Sequence, residues 1–527
     1  MLLLGMACRS DTTTSLSPVS SSVALGGMRQ SSPLILTVDT SKVICMISPY
    51  VYGSNENDWD KSGKYLTFGR QGGNRMTAYN WENNASNAGS DYQNQSDDYL
   101  GGGDIPGEVP RKAVADALGH SATFLVTIPL AGFVAADKLG GGDVNKTPDY
   151  IHVRFKKSVP KKDGPFKYPP NLNDDTVYQD EFVYWLEHKF PNRQVGADIW
   201  YSLDNEPDIW SGTHSRIHPQ KATYAEIIEK SVAMCKAIKA VAPKTLIFGP
   251  ASYGWEGYVR FQDPPDANDR DFLEFYLTNM KESGLDAGKR LLDVLDLHWY
   301  PEAKGDGKRI VEPDSTPGIA KARMQATRSL WDPTYVEDSW IAQKLGNEGI
   351  NLIPRVKQKI AKCYPGTKLA FTEYQFGGPN HISGAIAQAD ALGIFGRQGV
   401  FAAALWPYGG DASYVHAAFD AFRNYDGNGA QFGDLALETS SPDPNHLSIY
   451  ASKFSRGSNT LVCVIINQST STRPCLLSVV GTKTSSDREF TLTGDKATLV
   501  PSHIGVRRGD NLALTIPALS VNVVELK

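Results

Sequence analysis

Between residues 46 and 410 the chain alternates short apolar runs with longer segments whose apolar residues recur every three or four positions. Short apolar runs bounded by Gly, Pro, Asn or Asp indicate buried strands, and the longer spacing indicates helices that lie on a sheet. Two clear helical segments are 224–241 and 351–364. The predicted strands lie, in chain order, within residues 46–55, 65–74, 122–132, 198–207, 245–251, 294–302, 368–378 and 400–410.

These eight strands, with helices between them, are most economically closed as a barrel. A (β/α)8 barrel has about 250 residues and exceeds roughly 400 with insertions. The alternative is an open, doubly wound sheet, which would carry a Gly-rich phosphate loop after its first strand. The GGGD segments at 101–104 and 140–143 follow no convincing strand and open no clear helix. We therefore expect an α/β fold with a (β/α)8 TIM-like barrel over residues 46–430.

The pattern changes after about residue 430. Short stretches of alternating apolar and polar residues, divided by turn residues, predict an antiparallel β-sandwich over 431–527 as a second, smaller domain. Residues 31–45 show the same alternation ahead of the barrel, so we expect them to cross over and join that sandwich. Residues 1–30 are interpreted as a signal remnant or a disordered tether.

The composition excludes several classes of protein. The chain has 527 residues and a formal net charge of -5, which argues against nucleic acid as a partner, because nucleic-acid binders carry a basic face. No apolar run approaches the roughly 18 residues of a membrane span. The sequence contains 6 Cys without a C-x-x-C spacing, so no zinc or redox motif follows. Cys463 and Cys475 could pair in an oxidising compartment, but two unpaired buried thiols are favoured.

The first residues bear on localisation. A short apolar start, a cysteine and then a Ser/Thr-rich stretch resemble the end of a bacterial lipoprotein signal, in which Cys8 would be lipidated. The basic region that normally precedes such a signal is missing. We expect a secreted, extracellular protein. The resemblance to a lipoprotein signal leaves open that it is anchored through a lipid on Cys8.

Polar residues collect at the C-terminal ends of the predicted strands. The segment DIWYSLDNEP begins as a buried strand and ends in Asp204, Asn205 and Glu206, where Pro207 prevents simple continuation. Glu373 ends the seventh strand. In a barrel these ends meet at one face, where the loops build the active site. The other residues expected there are Arg70, Asn74, His298, Tyr300, Tyr374 and Trp406.

Two carboxylates on opposite sides of one pocket suit the cleavage of a glycosidic bond. One carboxylic acid protonates the leaving oxygen while the other attacks the anomeric carbon, and at about 5–5.5 Å separation the configuration is retained. The two roles need opposite protonation states at one pH. Arg70 beside Glu373 would keep Glu373 ionised, and that charge would hold the proton on Glu206. Asp204 is expected to support the site rather than react.

The same residues resemble a known family. YSLDNEPDIW, together with RQGGNRMTAYNWENNASNAGSDYQNQSDDYL at 70–100, is similar to glycoside hydrolase family 44. Those enzymes are endo-β-1,4-glucanases that also cut xyloglucan, and they belong to a clan of barrel glycosidases. The resemblance runs from about residue 45 to the C-terminus. It implies that Glu206 is the acid/base and Glu373 the nucleophile.

The resemblance also implies substrate contacts. Asn205 would bind the sugar 2-hydroxyl, Arg70 would lie near the nucleophile, Tyr300 would match the strand-six tyrosine, and Trp406 would lie under the reacting sugar. Also placed in the cleft are His298, Asn74 and Trp81. No cofactor is required, and a structural Ca²⁺ ion is implied without ligands that the sequence identifies. Residues 303–340 form a long polar segment that does not match the pattern.

Metal-like spacings elsewhere favour plainer interpretations. His214 and His218 are four residues apart, but no third ligand lies at a fixed offset, which favours a solvated loop. The acidic turns at 266–271 and 426–429 do not complete a calcium-binding loop. The identity and ligands of any metal therefore stay unknown at this point.

The expected partner is a β-1,4-linked polysaccharide, cut within the chain by a monomeric enzyme. Three alternatives stay open: a retaining xylanase or mannanase of the same clan, a non-hydrolysing carbohydrate-binding protein, and a sandwich-dominated adhesin with a vestigial barrel. The presence of both Glu206 and Glu373 counts against the binding protein. The complete pattern of eight strands counts against the adhesin.

Overall fold

The computed structural model describes residues 33–55, 59, 65–406, 408–485 and 487–527. Within it, eight parallel strands close a barrel in which each strand pairs with its successor in the chain and the eighth with the first. The barrel strands are, in order, Gly53–Ser54, Phe68–Gln71, Thr123–Ile128, Ile199–Leu203, Ile247–Ser252, Val294–Trp299, Lys368–Tyr374 and Ala402–Leu405. Each overlaps one predicted segment, which confirms the (β/α)8 barrel and excludes the open sheet.

Helices cover the outside of the barrel. The two helices predicted from residue spacing are Tyr224–Val241 and Leu352–Cys363. The first begins at a capping box, in which the side chains of Thr223 and Glu226 each accept a hydrogen bond from the other residue's backbone N–H. The other α-helices are Asn74–Thr77, Glu108–Gly119, Tyr150–Val153, Gln179–Lys189, Trp210–Thr213, Trp255–Arg260, Phe272–Asp286, Pro317–Ala326, Trp340–Lys344, Ile382–Arg397 and Ser413–Arg423. No described helix is long and apolar enough to cross a membrane.

Aromatic side chains close the N-terminal end of the barrel interior. Trp200 and Phe248 stack with ring centres 5.5 Å apart, and Phe68 lies 6.3 Å from Phe248. Alternate residues of a strand face the same side, so Arg70 points into the barrel two residues after Phe68. The interior is therefore apolar at one end and polar at the other, and the polar end is the face predicted for the active site.

Ten strands form the second sheet. They are Leu34–Met46, Leu435–Ser440, Leu447–Lys453, Leu461–Asn467, Arg473–Val480, Asp487–Thr493, Lys496–Ser502, Gly505–Arg508, Asn511–Ile516 and Ser520–Leu526. The strand that precedes the barrel lies in this sheet. It pairs antiparallel with Leu435–Ser440 but parallel with Cys475–Val480, so the sheet is not wholly antiparallel. A parallel pair needs a long connection, and here the connection contains the whole barrel and three further strands of the sheet.

The second domain packs tightly against the barrel. Along Leu461–Asn467, Cys463 and Ile465 face the domain's own core while Val462 and Val464 join the core shared with the barrel helices. Period-two alternation thus buries both faces of one strand. Cys463 and Cys475 are free and buried.

Short elements complete the described chain. The minor strands are Ser86–Asn87, Ser96–Asp97, Phe133–Ala135, Phe155–Val159, Thr176–Tyr178, Lys304–Gly305 and Lys308–Arg309. The 3₁₀ turns are Pro49–Val51, Gly89–Tyr92, Val144–Lys146, Pro207–Ile209 and Thr327–Leu330. Cys8 lies outside the described residues.

Close packing between the two domains is testable at Gly393. A Cβ added there would lie 2.4 Å from the ring of Tyr450, whose hydroxyl donates to Asp390 at 2.7 Å. We expect Gly393→Ala to lower the free energy of unfolding by about 1–3 kcal/mol through overpacking. Thermal unfolding of each variant and of wild type measures this loss of stability. Gly119→Ala is the control, because an added Cβ there meets nothing within 4 Å. Equal unfolding temperatures for the two variants would contradict the close contact.

Candidate active site

The fourth barrel strand ends in a strained turn. Asp204 has φ 63° and Glu206 has φ 45°, in the left-handed region that non-glycine residues rarely adopt. Asp204 is buried and holds the turn in place. Its Oδ1 accepts from Thr77 Oγ1 at 2.6 Å and from the Asn205 N–H at 2.7 Å, and its Oδ2 accepts from the Ala131 N–H at 3.1 Å. Asp204 therefore supports the turn that presents Glu206.

Arg70 is fully buried and connects the fourth and seventh strands. Its Nη1 donates to Glu373 Oε1 at 2.7 Å and to Asn55 Oδ1 at 3.1 Å. Its Nη2 donates to Asn205 Oδ1 at 3.0 Å. Gly72 leaves room for this arrangement, since a Cβ there would lie 2.1 Å from the guanidinium carbon. The fold thus fixes a positive charge beside Glu373.

Glu206 and Glu373 face each other across the polar end of the barrel. Both are buried, and an oxygen of one lies within 4.8 Å of an oxygen of the other. His298 Nδ1 lies 2.8 Å from Glu206 Oε1 and 3.5 Å from Glu373 Oε2. Tyr300 donates its hydroxyl proton to Glu373 Oε2 at 2.8 Å. The structure thus brings together the two glutamates that the sequence predicted to react.

The two carboxyl groups have unlike surroundings. Burial, and then the negative charges of Glu373 and Asp208, raise the pKa of Glu206 well above 4.5. Burial also raises the pKa of Glu373, but Arg70 and Tyr300 oppose that rise. A proton that enters this pair therefore resides on Glu206, and Glu373 carries the negative charge. This is the division of protonation states that acid and nucleophile require.

His298 is neutral, and residues deeper in the barrel hold its ring in place. Burial, and then the charge of Arg70, lower the pKa of His298 well below 6.5. Its Nε2 lies 3.4 Å from Thr372 Oγ1, which donates to Asp296 Oδ2 at 2.8 Å. Burial raises the pKa of Asp296 to about 7. A hydrogen-bonded column therefore runs from the barrel interior to Glu206.

A cavity of about 330 Å³ opens above the two carboxylates. Its lining residues are Gly73, Asn74, Asp91, Asn205, Glu206, Tyr253, Tyr300, Arg309, Val311, Glu373, Gln375 and Trp406. Six of these were named from the sequence as catalytic or substrate-binding: Asn74, Asn205, Glu206, Tyr300, Glu373 and Trp406. Arg70 and His298 lie beneath them. Gly73 (φ 79°) allows a close approach of the indole, since a Cβ there would lie 2.6 Å from the Trp406 ring.

Two residues placed in the cleft by sequence lie elsewhere. Trp81 is buried, with its Nε1 donating to Tyr178 O at 3.3 Å and its ring 5.6 Å from that of Phe182. Tyr374 is buried and its hydroxyl accepts from Gln388 Nε2 at 2.7 Å. The pairing register shifts at Thr372, and this irregularity turns Glu373 inward and Tyr374 outward. Neither side chain lines the cavity.

The sequence interpretation missed six lining residues: Gly73, Asp91, Tyr253, Arg309, Val311 and Gln375. Tyr253 and Gln375 directly follow barrel strands, so the rule that strand ends build the site could have found them. Arg309 and Val311 come from residues 303–340, which matched no pattern. Their position depends on a contact distant in the sequence. Buried Arg323 donates to Ile310 O at 2.8 Å and thereby fixes the loop at the rim.

His214 and His218 are not solvated, as the sequence had suggested. Both are buried. His214 Nε2 lies 2.9 Å from Asn74 O, and His218 Nε2 lies 2.8 Å from Glu226 Oε1. These contacts occupy the ring nitrogens with protein partners. His214 thereby supports Asn74 at the cavity wall.

One group of described residues has ligand atoms close enough together to hold a metal ion. It consists of Glu206, His298 and Glu373. Arg70 Nη1 already lies 2.7 Å from Glu373 Oε1. The fixed guanidinium charge repels a divalent cation from this place.

Comparison with known proteins identifies the family. The family model "Glycoside hydrolase family 44" matches residues 85–303. A xyloglucanase of that family from Paenibacillus polymyxa, solved with xyloglucan, is 39% identical and superposes with a TM-score of 0.88 over 94% of this chain and 99% of that chain. The chain belongs to glycoside hydrolase family 44.

Two curated relatives of this family 44 chain are longer than it is. Endoglucanase A of Paenibacillus lautus is 44% identical over 83% of this chain and 64% of its own length. The β-mannanase/endoglucanase A of Caldicellulosiruptor saccharolyticus is 44% identical over 82% of this chain and 34% of its own length. The chain thus spans just under two thirds of one relative and about one third of the other.

The raised pKa of Glu206 predicts that the stability of this family 44 chain depends on pH. A folded-state pKa above the unfolded value means that the folded protein binds more protons between the two pKa values, so stability falls as pH rises through that window. Glu206→Gln keeps a hydrogen-bonding side chain beside His298 and removes this penalty. We expect a higher unfolding temperature than wild type, with a margin that widens as pH rises from about 4.5, the ordinary pKa.

Scanning calorimetry from acidic to neutral pH measures that margin. Glu229→Gln, on the exposed face of helix Tyr224–Val241, is the control and should track wild type. A margin that shrinks as pH rises would contradict the raised pKa of Glu206.

Proposed function

We propose that this protein is a retaining endo-β-1,4-glucanase that cuts cellulose-like chains and xyloglucan. The observation that carries the mechanism is the approach of Glu206 and Glu373, whose nearest oxygens lie within 4.8 Å. Retaining glycosidases hold their carboxyl groups about 5–5.5 Å apart, while inverting ones need about 6.5–9.5 Å to admit a water molecule. His298 Nδ1 contacts both carboxyl groups, at 2.8 Å from Glu206 and 3.5 Å from Glu373. This bridging by one nitrogen favours the closer arrangement and direct attack by one carboxylate.

In the proposed cycle Glu373 attacks the anomeric carbon. The glycosidic C–O bond breaks as the proton of Glu206 passes to the departing oxygen, and a C–O bond forms to Glu373. Glu206, now ionised, takes a proton from water as the water oxygen attacks the same carbon and the C–O bond to Glu373 breaks. That step restores both side chains, and the sugar configuration is retained after two displacements.

The neighbouring groups serve these steps. Arg70 at 2.7 Å and Tyr300 at 2.8 Å hold Glu373 ionised and oriented for attack. Asn205 lies beside Glu206 at the cavity wall and is positioned by Arg70 Nη2. Trp406 offers an apolar face to the reacting sugar. All of these groups belong to the chain, so the proposal requires no cofactor.

The choice of glucan rests on the relatives. A P. polymyxa family member is a xyloglucanase, and the P. lautus relative is an endoglucanase. β-Mannan is the second candidate, because the C. saccharolyticus relative is named for both activities. That relative is longer, however, and this chain matches 34% of it. Since polysaccharides do not enter cells, the proposal places the enzyme outside the cell.

Reducing-sugar release tests the assignment of the glutamates. Wild type, Glu206→Gln, Glu373→Gln and the control Glu229→Gln are compared on carboxymethylcellulose, xyloglucan, xylan and mannan. We expect each active-site variant to lose at least about a thousandfold in kcat on glucan, because acid and nucleophile act as a unit. Glu229→Gln should match wild type.

Proton NMR of the newly formed reducing end adds the stereochemistry. The β-anomer should appear first, before mutarotation. An inverted product would overturn the retaining mechanism, and a wild type that binds these glycans without cutting them would overturn the enzyme assignment.

The pH profile tests the hydrogen bond from Tyr300. Tyr300→Phe removes a donor that lowers the pKa of Glu373. A higher pKa leaves Glu373 protonated at pH values where the wild type is ionised, so the acid limb of kcat/KM should move to higher pH. Tyr184→Phe, on helix Gln179–Lys189, is the control. An acid limb that stays in place or moves to lower pH would contradict this role.

A further inference from the structure

An exposed aromatic surface lies beside the cavity. Tyr99 is 77% exposed and Tyr92 is 47% exposed. Both rings lie against one guanidinium: Arg75 Cζ is 4.4 Å from the centre of the Tyr99 ring and 6.0 Å from that of Tyr92. Isolated exposed rings are ordinary on protein surfaces. Two rings gathered on one arginine, next in the chain to cavity-lining residues, form a patch, here named the tyrosine patch.

The tyrosine patch is continuous with the cavity wall. Asn74 and Asp91 both line the cavity, and Asn74 Nδ2 donates to Asp91 Oδ2 at 2.8 Å. Arg75 is the next residue after Asn74, and Tyr92 is the next after Asp91. Neighbouring Cα atoms lie about 3.8 Å apart. The patch therefore begins at residues that directly follow two residues of the cavity wall.

The patch is held in position without a ligand. Arg75 Nη1 donates to Asp97 Oδ1 at 2.5 Å and to Ser86 Oγ at 3.0 Å. The same Asp97 oxygen accepts from the Tyr99 N–H at 3.1 Å. Arginine and ring are thus tied to one carboxylate. A surface fixed in this way loses little conformational entropy when a ligand binds.

The loop that carries Tyr92 is also fixed by packing. Gly89 has φ 58°, and a Cβ there would lie 1.9 Å from Thr213 O. Only glycine permits this approach. The 3₁₀ turn Gly89–Tyr92 therefore lies directly on helix Trp210–Thr213.

We propose that the tyrosine patch is a distal subsite for a sugar unit of a β-1,4-linked glycan. A pyranose ring presents an apolar C–H face and a rim of hydroxyls, which suits an aromatic face bordered by polar groups. Arg75 covers one side of Tyr99 and leaves the other side to the ligand. The inference rests on the proposed function and deepens it, because it assigns where an extended chain continues beyond the cavity.

Binding is measured apart from turnover, in the Glu373→Gln background. Affinity electrophoresis in gels containing xyloglucan or carboxymethylcellulose compares that parent with versions that also carry Tyr99→Ala or Tyr99→Phe. We expect Tyr99→Ala to raise Kd about fivefold to tenfold and Tyr99→Phe, which keeps the ring, to stay within about twofold. The control is Tyr184→Ala, a tyrosine that is 38% exposed on helix Gln179–Lys189.

Kinetics on β-1,4-gluco-oligosaccharides of increasing length give a second readout. In the wild-type enzyme, kcat/KM should rise with the length of the oligosaccharide. In the Tyr99→Ala enzyme, with both glutamates intact, the part of that rise contributed by the sugar unit at the patch should be lost. A general loss of folding would instead lower every value alike.

The outcomes separate the two proposals. Equal affinity of the Tyr99→Ala version and its parent would overturn the subsite and leave the glucanase assignment standing. A parent that binds glycans while wild type cuts none would overturn the assignment of enzyme activity. A parent that binds none of these glycans would overturn both.

Discussion

A guanidinium buried inside the barrel holds the two glutamates of this site in unlike states. Arg70 donates to Glu373 at 2.7 Å and to Asn205, the residue before Glu206, at 3.0 Å. One side chain therefore fixes the distance between the fourth and seventh strands and biases the charge toward Glu373. A buried arginine is stable only with such partners, since an unpaired charge in the interior is destabilising by about 3–5 kcal/mol.

The rest of the site follows from that constraint. Once Glu373 is charged, a second charged carboxylate within 4.8 Å is unfavourable, and Glu206 keeps its proton. Neutral His298 then bridges the two groups without adding a charge. The strained turn at Asp204 and Glu206 and the buried Asp296 are features that stability alone would not select. Such features are common where function requires a fixed, desolvated arrangement.

Much of this arrangement could be predicted from local pattern. The eight strands show as short apolar runs, and the strand-end rule located Glu206, Glu373 and Arg70. Trp81 and Tyr374 were misplaced because the sequence does not reveal which face of a loop or irregular strand is buried. The register shift at Thr372 decides the orientation of Tyr374, and it depends on pairing with a neighbouring strand.

Long-range contacts explain the other omissions. Arg309 and Val311 reach the cavity because Arg323 donates to Ile310 O at 2.8 Å, a contact between segments that no periodicity connects. The parallel pairing of Leu34–Asp39 with Cys475–Val480 likewise joins the start of the described chain to its last domain. Sequence patterns report local geometry well, whereas such contacts depend on the whole fold.

The most direct test of the account is to trap the sugar on the enzyme. A 2-deoxy-2-fluoro cellobioside with a good leaving group slows hydrolysis of the glycosyl-enzyme, and mass spectrometry of a proteolytic digest locates the label. The account predicts one sugar adduct, on the peptide that contains Glu373, and no adduct in Glu373→Gln. A label on Glu206 or elsewhere, or turnover without any covalent adduct, would contradict the roles assigned to the two glutamates.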